Sequence, residues 1–279
     1  MSLADQASLL LIPSGYRESK IYSVFPTTGV GDFTFNRNSS ATRIAKNGLI
    51  TSVATDIPRL EYPLIDGVVN GCPSFLLENS ATNLITYSED FSNSSWVKNG
   101  ASITSNVAIS PDGSLSADKL VEGTTTGEKF TQTIKSVSNT TIYTASVFVK
   151  FAGREWIRLT DAQSSNRIHF NTKTGVFGSA TGTVISYEST LLGDGWYKLS
   201  LTTTSVATAY AMRIVLAEND NDVSYTGDGT SGVYIYGAQL EESSYPTSYI
   251  ESNIGTTTTR AAETANGAGD ATTFNDSEG

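Results

Sequence analysis

The sequence predicts an all-β fold, an antiparallel two-sheet sandwich of the jelly-roll type with an irregular N-terminal segment. Three observations predict it. Between about residues 86 and 251 the chain repeatedly alternates apolar and polar residues, and Gly, Asn, Asp and Ser bound each repeat. The composition is rich in Thr and Tyr and only 16% charged, which favours strands and turns. No amphipathic helical pattern of any length is present.

Eight segments carry this alternation and are the predicted strands. In chain order they read SADKLVE, EKFTQTIK, TIYTASVFVKF, REWIRLTD, NRIHFNT, GWYKLSLT, TAYAMRIVLA and GVYIYGAQLE. In the last segment both faces are apolar, as is typical of a central strand, with Tyr234, Tyr236, Ala238 and Leu240 on one face and Val233 and Ile235 on the other. A total of roughly eight to ten strands with short turns suits two packed sheets.

Three regions of the chain differ in proline content and in the pattern of apolar residues. Region 1–85 holds five of the seven prolines and only short apolar stretches, so we predict irregular chain that wraps onto a partner surface and attaches the protein to it. Region 86–252 is the predicted jelly-roll domain. Region 253–279 has almost no large apolar residue besides Ile254 and Phe274, and we predict a flexible linker or the truncated start of a further domain.

Charge and targeting signals narrow the function. With 18 basic and 28 acidic residues the net charge is −10, which argues against nucleic-acid and membrane partners. Cys72 is the one cysteine, so an intrachain disulfide and a thiolate metal cluster are excluded. The N-terminal apolar run covers only residues 9–12, too short for a signal peptide. We therefore expect synthesis in the cytoplasm without a signal peptide.

Seven segments between about residues 31 and 250 carry, in order, a resemblance to a known group of proteins. They are GDFTFNRNSSATRIAKNGLI, PRLEY, CPSFLLENSATNLITYSEDFSNSSWVKNG, SPDGSLSADKL, TASVFVK, GDGWYKLSLT and YTGDGTSGVYIYGAQLEESSYPTSYI. This ordered set resembles bacteriophage head-spike and tail-fibre proteins with a concanavalin-like jelly-roll domain related to carbohydrate-binding modules.

The resemblance implies a structural protein on the virion surface of a tailed bacteriophage, either a head fibre or a tail-fibre component. The expected partners are other virion proteins of the capsid or tail, held through the N-terminal region. A homo-oligomer is expected, with a trimer favoured. The alternative function is an adhesin that binds host-surface glycans.

Catalysis is not favoured by the residues available. A Cys–His pair would need Cys72 and His169, each the only member of its class, and a serine triad would need the same His169. A glycosidase needs two converging carboxylates. The residues near strand ends that offer carboxylates are Glu155, Asp161, Glu188 and Asp194. Acidic residues at such positions are usually turn residues, so we expect no enzyme.

A metal ion is likewise not expected. The resemblance implies a structural calcium held from the first and last strands, but Tyr236 and Gly237 stand where the wider family tends to have Asp. Glu89 and Asp90 at the matching N-terminal position make a poor site alone. The acidic stretch ENDNDVSYTGDG lacks the glycine and closing glutamate of an EF-hand loop and reads as an ordinary turn. We predict neither metal nor cofactor.

Glycan binding is the remaining specific hypothesis. Aromatic side chains on the outer face of a strand stack on sugar rings, with polar neighbours that bind the hydroxyl groups. The residues that alternation directs away from the core are Trp156, Arg158, Phe148 and Trp196. The rival interpretation, which the sequence favours, is that these aromatics pack against a neighbouring subunit or the N-terminal segment.

Overall fold

The computed structural model describes residues 16–21, 32–253 and 255–267. The chain forms two compact units. Unit 1 combines Met1–Pro63, Val69–Ser80 and Thr259–Gly279, and unit 2 combines Leu64–Val68 and Ala81–Thr258. The predicted boundaries at residues 86 and 252 both fall inside unit 2. Across the described ranges the secondary structure is β-strand with one short 3-10 turn, Gly193–Gly195, and no helix is long and apolar enough to cross a membrane.

Unit 2 is built on two six-stranded antiparallel sheets. Their strands are β1 Val97–Asn99, β2 Ala101–Ile109, β3 Leu115–Glu122, β4 Lys129–Ser136, β5 Ile142–Ala152, β6 Trp156–Asp161, β7 Asn166–Asn171, β8 Val176–Thr181, β9 Val184–Leu191, β10 Tyr197–Thr204, β11 Ala209–Ala217 and β12 Gly232–Glu241. Sheet 1 has the order β1-β4-β11-β6-β7-β8, and sheet 2 has the order β2-β3-β12-β5-β10-β9. The short strands Leu64–Ile65, Val68–Val69, Ala81–Asn83, Thr126–Gly127 and Tyr225–Thr226 lie outside these sheets.

One apolar core lies between the two sheets. Sheet 1 contributes buried residues such as Ile157 and Leu159 of β6, and sheet 2 contributes Ala145 and Val147 of β5. Burying one large apolar side chain stabilises the fold by about 1.5–3 kcal/mol. The predicted all-β, two-sheet jelly-roll sandwich is confirmed.

A β-bulge in β12 changes the predicted faces of the last strand. Ser146 of β5 pairs with Gln239 while Phe148 pairs with Tyr236, so two residues of β12 lie opposite one residue of β5. The bulge contains Gly237, whose φ is +58°, a left-handed conformation that favours glycine.

The extra residue reverses the alternation beyond position 237. Ala238 and Leu240 therefore face the core together with Val233 and Ile235, and not with the tyrosines as predicted. The prediction of a central strand is confirmed, since β12 lies between β3 and β5.

Unit 1 contains short strands that come from distant parts of the chain. They are Tyr16–Arg17, Lys20–Ile21, Phe33–Asn36, Ala41–Ile44, Ile50–Val53, Arg59–Glu61, Ser74–Leu76 and Thr264–Asn266, and Thr258–Arg260 begins one residue before the unit. Phe33–Asn36 pairs with Thr264–Asn266. The described part of region 253–279, predicted as a flexible linker or the truncated start of a further domain, contains β-structure.

A buried ionic cluster explains why this late segment is ordered. The Glu263 carboxylate accepts hydrogen bonds from Arg37 Nη1 at 2.7 Å and from Arg59 Nε at 2.7 Å. Glu78 binds Arg59 at 2.8 Å and Arg260 at 3.0 Å. Burial opposes the charge of Arg59, but the hydrogen bond and charge of Glu263 outweigh it and raise the pKa of that guanidinium. The composition of region 253–279 could not reveal that its described part is ordered, because ionic contacts hold this part and large apolar side chains do not.

We expect Glu263→Gln to destabilise unit 1 selectively. Removing one charge from a buried ion pair leaves the partner uncompensated and costs about 3–5 kcal/mol. Amide protection in Phe33–Asn36 should fall by about a hundredfold or more in hydrogen exchange. Glu155→Gln is the control, because Glu155 pairs with Lys173 at the surface. Unchanged protection in the Glu263 variant would contradict the role of the cluster.

Candidate glycan-binding face

The outer face of sheet 1 points away from the core, and strand register defines which residues share it. Directly opposite residues of antiparallel strands lie on the same face. Two neighbouring rows cross β4, β11, β6 and β7: Phe130, Val215, Arg158 and His169 form the first, and Gln132, Arg213, Thr160 and Arg167 form the second. A third row on the other side of the first contains Ala217, Trp156 and Asn171. This face therefore combines aromatic rings with guanidinium, amide and imidazole groups.

Trp156 is the tryptophan of this face, and its ring lies half-buried beside Gly178 of β8. A Cβ atom at Gly178 would lie 2.7 Å from Cζ3 of Trp156, closer than packed atoms allow. The absence of a side chain at Gly178 thus makes room for the indole and for the Asp220 carboxylate. The other two tryptophans, Trp96 and Trp196, are fully buried.

Glu128 holds two arginines of the face. Arg158 Nη2 donates to Glu128 Oε1 at 2.9 Å, and Arg213 Nη1 donates to Glu128 Oε2 at 3.5 Å. Arg213 also donates from Nε to Gln132 at 2.7 Å, and its guanidinium lies 4.0 Å from the centre of the Phe130 ring. Burial lowers the pKa of Arg213, an effect that Glu128 opposes and that the charge of Arg158 reinforces.

His169 is buried beside the arginines. Its Nδ1 lies 3.0 Å from the carbonyl oxygen of Ser179, so Nδ1 carries the proton in the neutral ring. Burial, together with the charges of Arg158 and Arg167, lowers the pKa of His169. Asp220 accepts hydrogen bonds from the backbone and hydroxyl of Ser179, both at 2.8 Å. The ring is therefore neutral near pH 7 and held in one orientation.

The structure separates the four predicted glycan-binding residues. Trp156 and Arg158 lie together on the outer face of sheet 1. Phe148 is only 2% exposed on sheet 2, where its ring lies 5.7 Å from that of Tyr249 and 6.0 Å from that of Tyr236.

Trp196 is also only 2% exposed, and its Nε1 donates to the carbonyl oxygen of Ile109 at 3.0 Å. A buried ring cannot stack on a sugar. The burial of Phe148 and Trp196 therefore corrects their predicted role.

Several residues of this face were missed at the sequence level. They are Phe130, Gln132, Arg213, Arg167 and Glu128. The available signal was Arg213, a charged residue in the middle of the apolar segment TAYAMRIVLA. Its partners could not be identified, because strand order across the sheet is not readable from alternation.

The candidate catalytic residues do not form a site in the described structure. Glu155 binds Lys173 at 2.7 Å at the surface, whereas Asp161 is buried and accepts hydrogen bonds from Ser164 and from the backbone of Ala211. These two acids flank an extended strand and lie roughly 20 Å apart, while glycosidase pairs are about 5–10 Å apart.

The other candidates are dispersed as well. Glu188 lies exposed on the edge strand β9, and Asp194 pairs with Lys150 in a turn. Cys72 is exposed in unit 1, and His169 is buried in unit 2.

Tyrosine hydroxyls surround the carboxylate at the position where the resemblance implied calcium. Glu89 accepts hydrogen bonds from Tyr249 Oη at 2.8 Å and from Asn253 Nδ2 at 3.0 Å. Tyr236 donates to Asp112 at 3.2 Å. Burial raises the pKa of the Glu89 carboxyl, and hydrogen bonds from the tyrosines offset this only in part. Among the described residues, no three His, Cys, Asp or Glu side chains are grouped to hold a metal ion.

Comparison with known proteins gives similarity at the level of solved structures. No family model matches the chain, and no curated protein matches it. One similar structure contains the CBM22-1 and GH10 modules of Clostridium thermocellum endo-1,4-beta-D-xylanase 10B, with 13% identity, a TM-score of 0.35, and coverage of 62% of this chain and 30% of that chain.

Another similar structure is the enzymatically active domain of bacteriophage CBA120 tailspike protein 4. It has 13% identity and a TM-score of 0.33, and the match covers 57% of this chain and 21% of that chain. A third is the CBM22-1 xylan-binding domain of Paenibacillus barcinonensis Xyn10C. It has 11% identity and a TM-score of 0.30, and the match covers 60% of this chain and 94% of that chain. The chain thus spans less than a third of the xylanase and tailspike structures.

The environment of Glu89 predicts that the free energy of unfolding depends on pH. Because the folded pKa is raised, the folded state holds this proton more tightly than the unfolded chain. Its contribution to stability therefore falls as pH rises from the ordinary carboxyl range, about 4.3, through the folded pKa. Glu89→Gln should flatten this decline in urea unfolding followed by tryptophan fluorescence between about pH 4 and 7.

The control for this experiment is Glu188→Gln at an exposed edge position. Its stability curve should run parallel to that of the parent protein. The assignment to Glu89 fails if the Glu89→Gln curve is parallel as well.

Proposed function

We propose that unit 2 is a non-catalytic glycan-binding domain and that a sugar ring stacks on Trp156 at the outer face of sheet 1. The observation that carries the proposal is the half-buried Trp156 ring in the row beside Arg158. Sugar sites in proteins combine an aromatic platform with a few placed polar groups, and this face offers both.

Rigid strands support the arrangement. β6 is an interior strand of sheet 1, and its core residues Ile157 and Leu159 are fully buried. The backbone that carries Trp156 and Arg158 is therefore held by the core. A preformed site of this kind loses little conformational entropy when a ligand binds.

We expect Trp156→Ala to weaken glycan binding by about tenfold or more, since losing an aromatic platform costs on the order of 1–2 kcal/mol. A glycan array finds the ligand, and calorimetry measures the affinity. Trp196→Phe is the control, because that buried ring is remote from the proposed contact. Gly178→Ala is a second test, since its Cβ would crowd both the Asp220 carboxylate and the indole and must displace them while Trp156 itself is retained.

The rival interpretation has a separate signature. If Trp156 packs against a neighbouring subunit, Trp156→Ala lowers the mass in solution and leaves glycan binding unchanged. Light scattering after gel filtration measures that mass. This result, or a flat response of the parent protein across the array, would contradict glycan binding at Trp156.

We propose as a second function that the chain is displayed on the surface of a tailed bacteriophage particle, where region 1–85 attaches it to capsid or tail proteins. The support is the ordered sequence resemblance between residues 31 and 250, which includes the unit 1 segments GDFTFNRNSSATRIAKNGLI and PRLEY. Residues 1–15 and 22–31 of the attachment region lie outside the described residues.

Deletion of residues 1–28 tests this attachment. The truncated protein should be absent from purified particles, whereas the full chain should be seen on them by immunogold electron microscopy. Normal incorporation of the truncated protein would overturn the attachment role and would leave the glycan-binding proposal intact.

A further inference from the structure

We propose that the outer face of sheet 1 selects glycans that carry a carboxylate, such as chains containing uronic or sialic acids, and that Arg167 is the main contact to the carboxylate. This inference rests on the proposed glycan-binding function and adds the chemical class of the ligand.

The face carries a positive charge that contrasts with the rest of the chain. Arg158, Arg167 and Arg213 lie in two adjacent rows, and Glu128 is the acid that pairs with arginines of these rows. A second carboxylate, Asp220, lies 3.9 Å from His169 Nδ1, so three arginines stand against two acids. The whole chain has a net charge of −10. A local excess of arginine in an acidic protein attracts an anionic ligand specifically to this surface.

Guanidinium nitrogens remain available on the face. Arg158 uses Nη2 for Glu128, and Arg213 uses Nε and Nη1 for Gln132 and Glu128. Nη1 of Arg158 and Nη2 of Arg213 have no hydrogen bond to a described residue and are not among the buried unpaired atoms. Both terminal nitrogens of Arg167 likewise have no hydrogen bond to a described residue and are not among the buried unpaired atoms. This side chain therefore has no ion pair within the described ranges.

Buried nitrogens near these groups also lack partners. Nε of Arg158, Nε of Arg167 and Nε2 of His169 are buried without a hydrogen bond to a described residue. His169 is 0% exposed and Arg158 is 8% exposed. Each unpaired buried polar group costs about 1–3 kcal/mol. Each such group calls for an explanation, and a role in binding a ligand is one. Buried side-chain atoms of Arg43 and Thr131, which lie outside this face, also lack a hydrogen bond to a described residue, so what distinguishes this face is the grouping of three such nitrogens beside the available guanidinium groups.

The contact to Glu128 indicates what kind of anion fits. Its two carboxylate oxygens are divided between Arg158 and Arg213, so this face already binds a planar carboxylate through guanidinium groups. Arg167 lies in the same row as Arg213, two strands away, which places their backbones roughly 10 Å apart. A planar guanidinium binds a carboxylate through two parallel hydrogen bonds, and lysine cannot reproduce this geometry.

Paired ligands test the inference on the full chain. Oligomers of galacturonate and glucuronate and a sialylated oligosaccharide are each compared with their neutral methyl esters by calorimetry, at low and high salt. We expect the carboxylates to bind about tenfold more tightly than the esters, with a preference that weakens at high salt. Arg167→Gln should remove this preference, and Arg167→Lys should keep only part of it.

The control is Lys119→Gln, which removes the same charge from sheet 2, where the Lys119 ammonium donates to the carbonyl oxygen of Thr230. Its preference should be unchanged. If neutral glycans bind and Arg167→Gln has no effect, the inference is overturned while the proposed function stands. If no glycan binds in the array or in these titrations, both are overturned.

Discussion

Period-two alternation along β6 links the proposed binding face to the core. Ile157 and Leu159 are fully buried against sheet 2, and an extended chain must then place Trp156 and Arg158 on the opposite side. A slip of one residue against β11 would turn both apolar side chains outward, at a cost of about 1.5–3 kcal/mol each. Apolar burial on one face therefore sets the register that brings Arg158 opposite His169 on the other.

The fold was predictable from the sequence where a strand pairs with a neighbouring strand along both of its edges. The eight predicted strands correspond to β3, β4, β5, β6, β7, β10, β11 and β12, which are the interior strands of the two sheets. The four that were missed, β1, β2, β8 and β9, are the four edge strands. An edge strand has one unpaired side and more exposure, so its residues need not alternate. The bulge at Gly237 was missed for a related reason, because one inserted residue leaves composition unchanged.

Two residues of the candidate site were predictable for the same physical reason. Alternation identifies which side chains point away from the core, and it did so for Trp156 and Arg158. It does not say whether other residues cover the outward side. The ring of Phe148 packs against those of Tyr236 and Tyr249, and Trp196, which directly precedes β10, is buried. The partners of Arg158 were beyond the sequence as well, since Glu128 precedes β4, which is separated from β6 by β11.

The ionic cluster of unit 1 joins residues that the ribosome makes at very different times. Arg37 and Glu263 are separated by 226 positions, and unit 2 accounts for most of the chain between them. During synthesis Arg37 and Arg59 must therefore remain solvated, because Glu263 does not yet exist, and burying them unpaired would be prohibitive. The sandwich has all of its strands before the first unit can close. Unit 1 therefore cannot reach its final structure until unit 2 has been synthesised, although most of unit 1 precedes unit 2 in the chain.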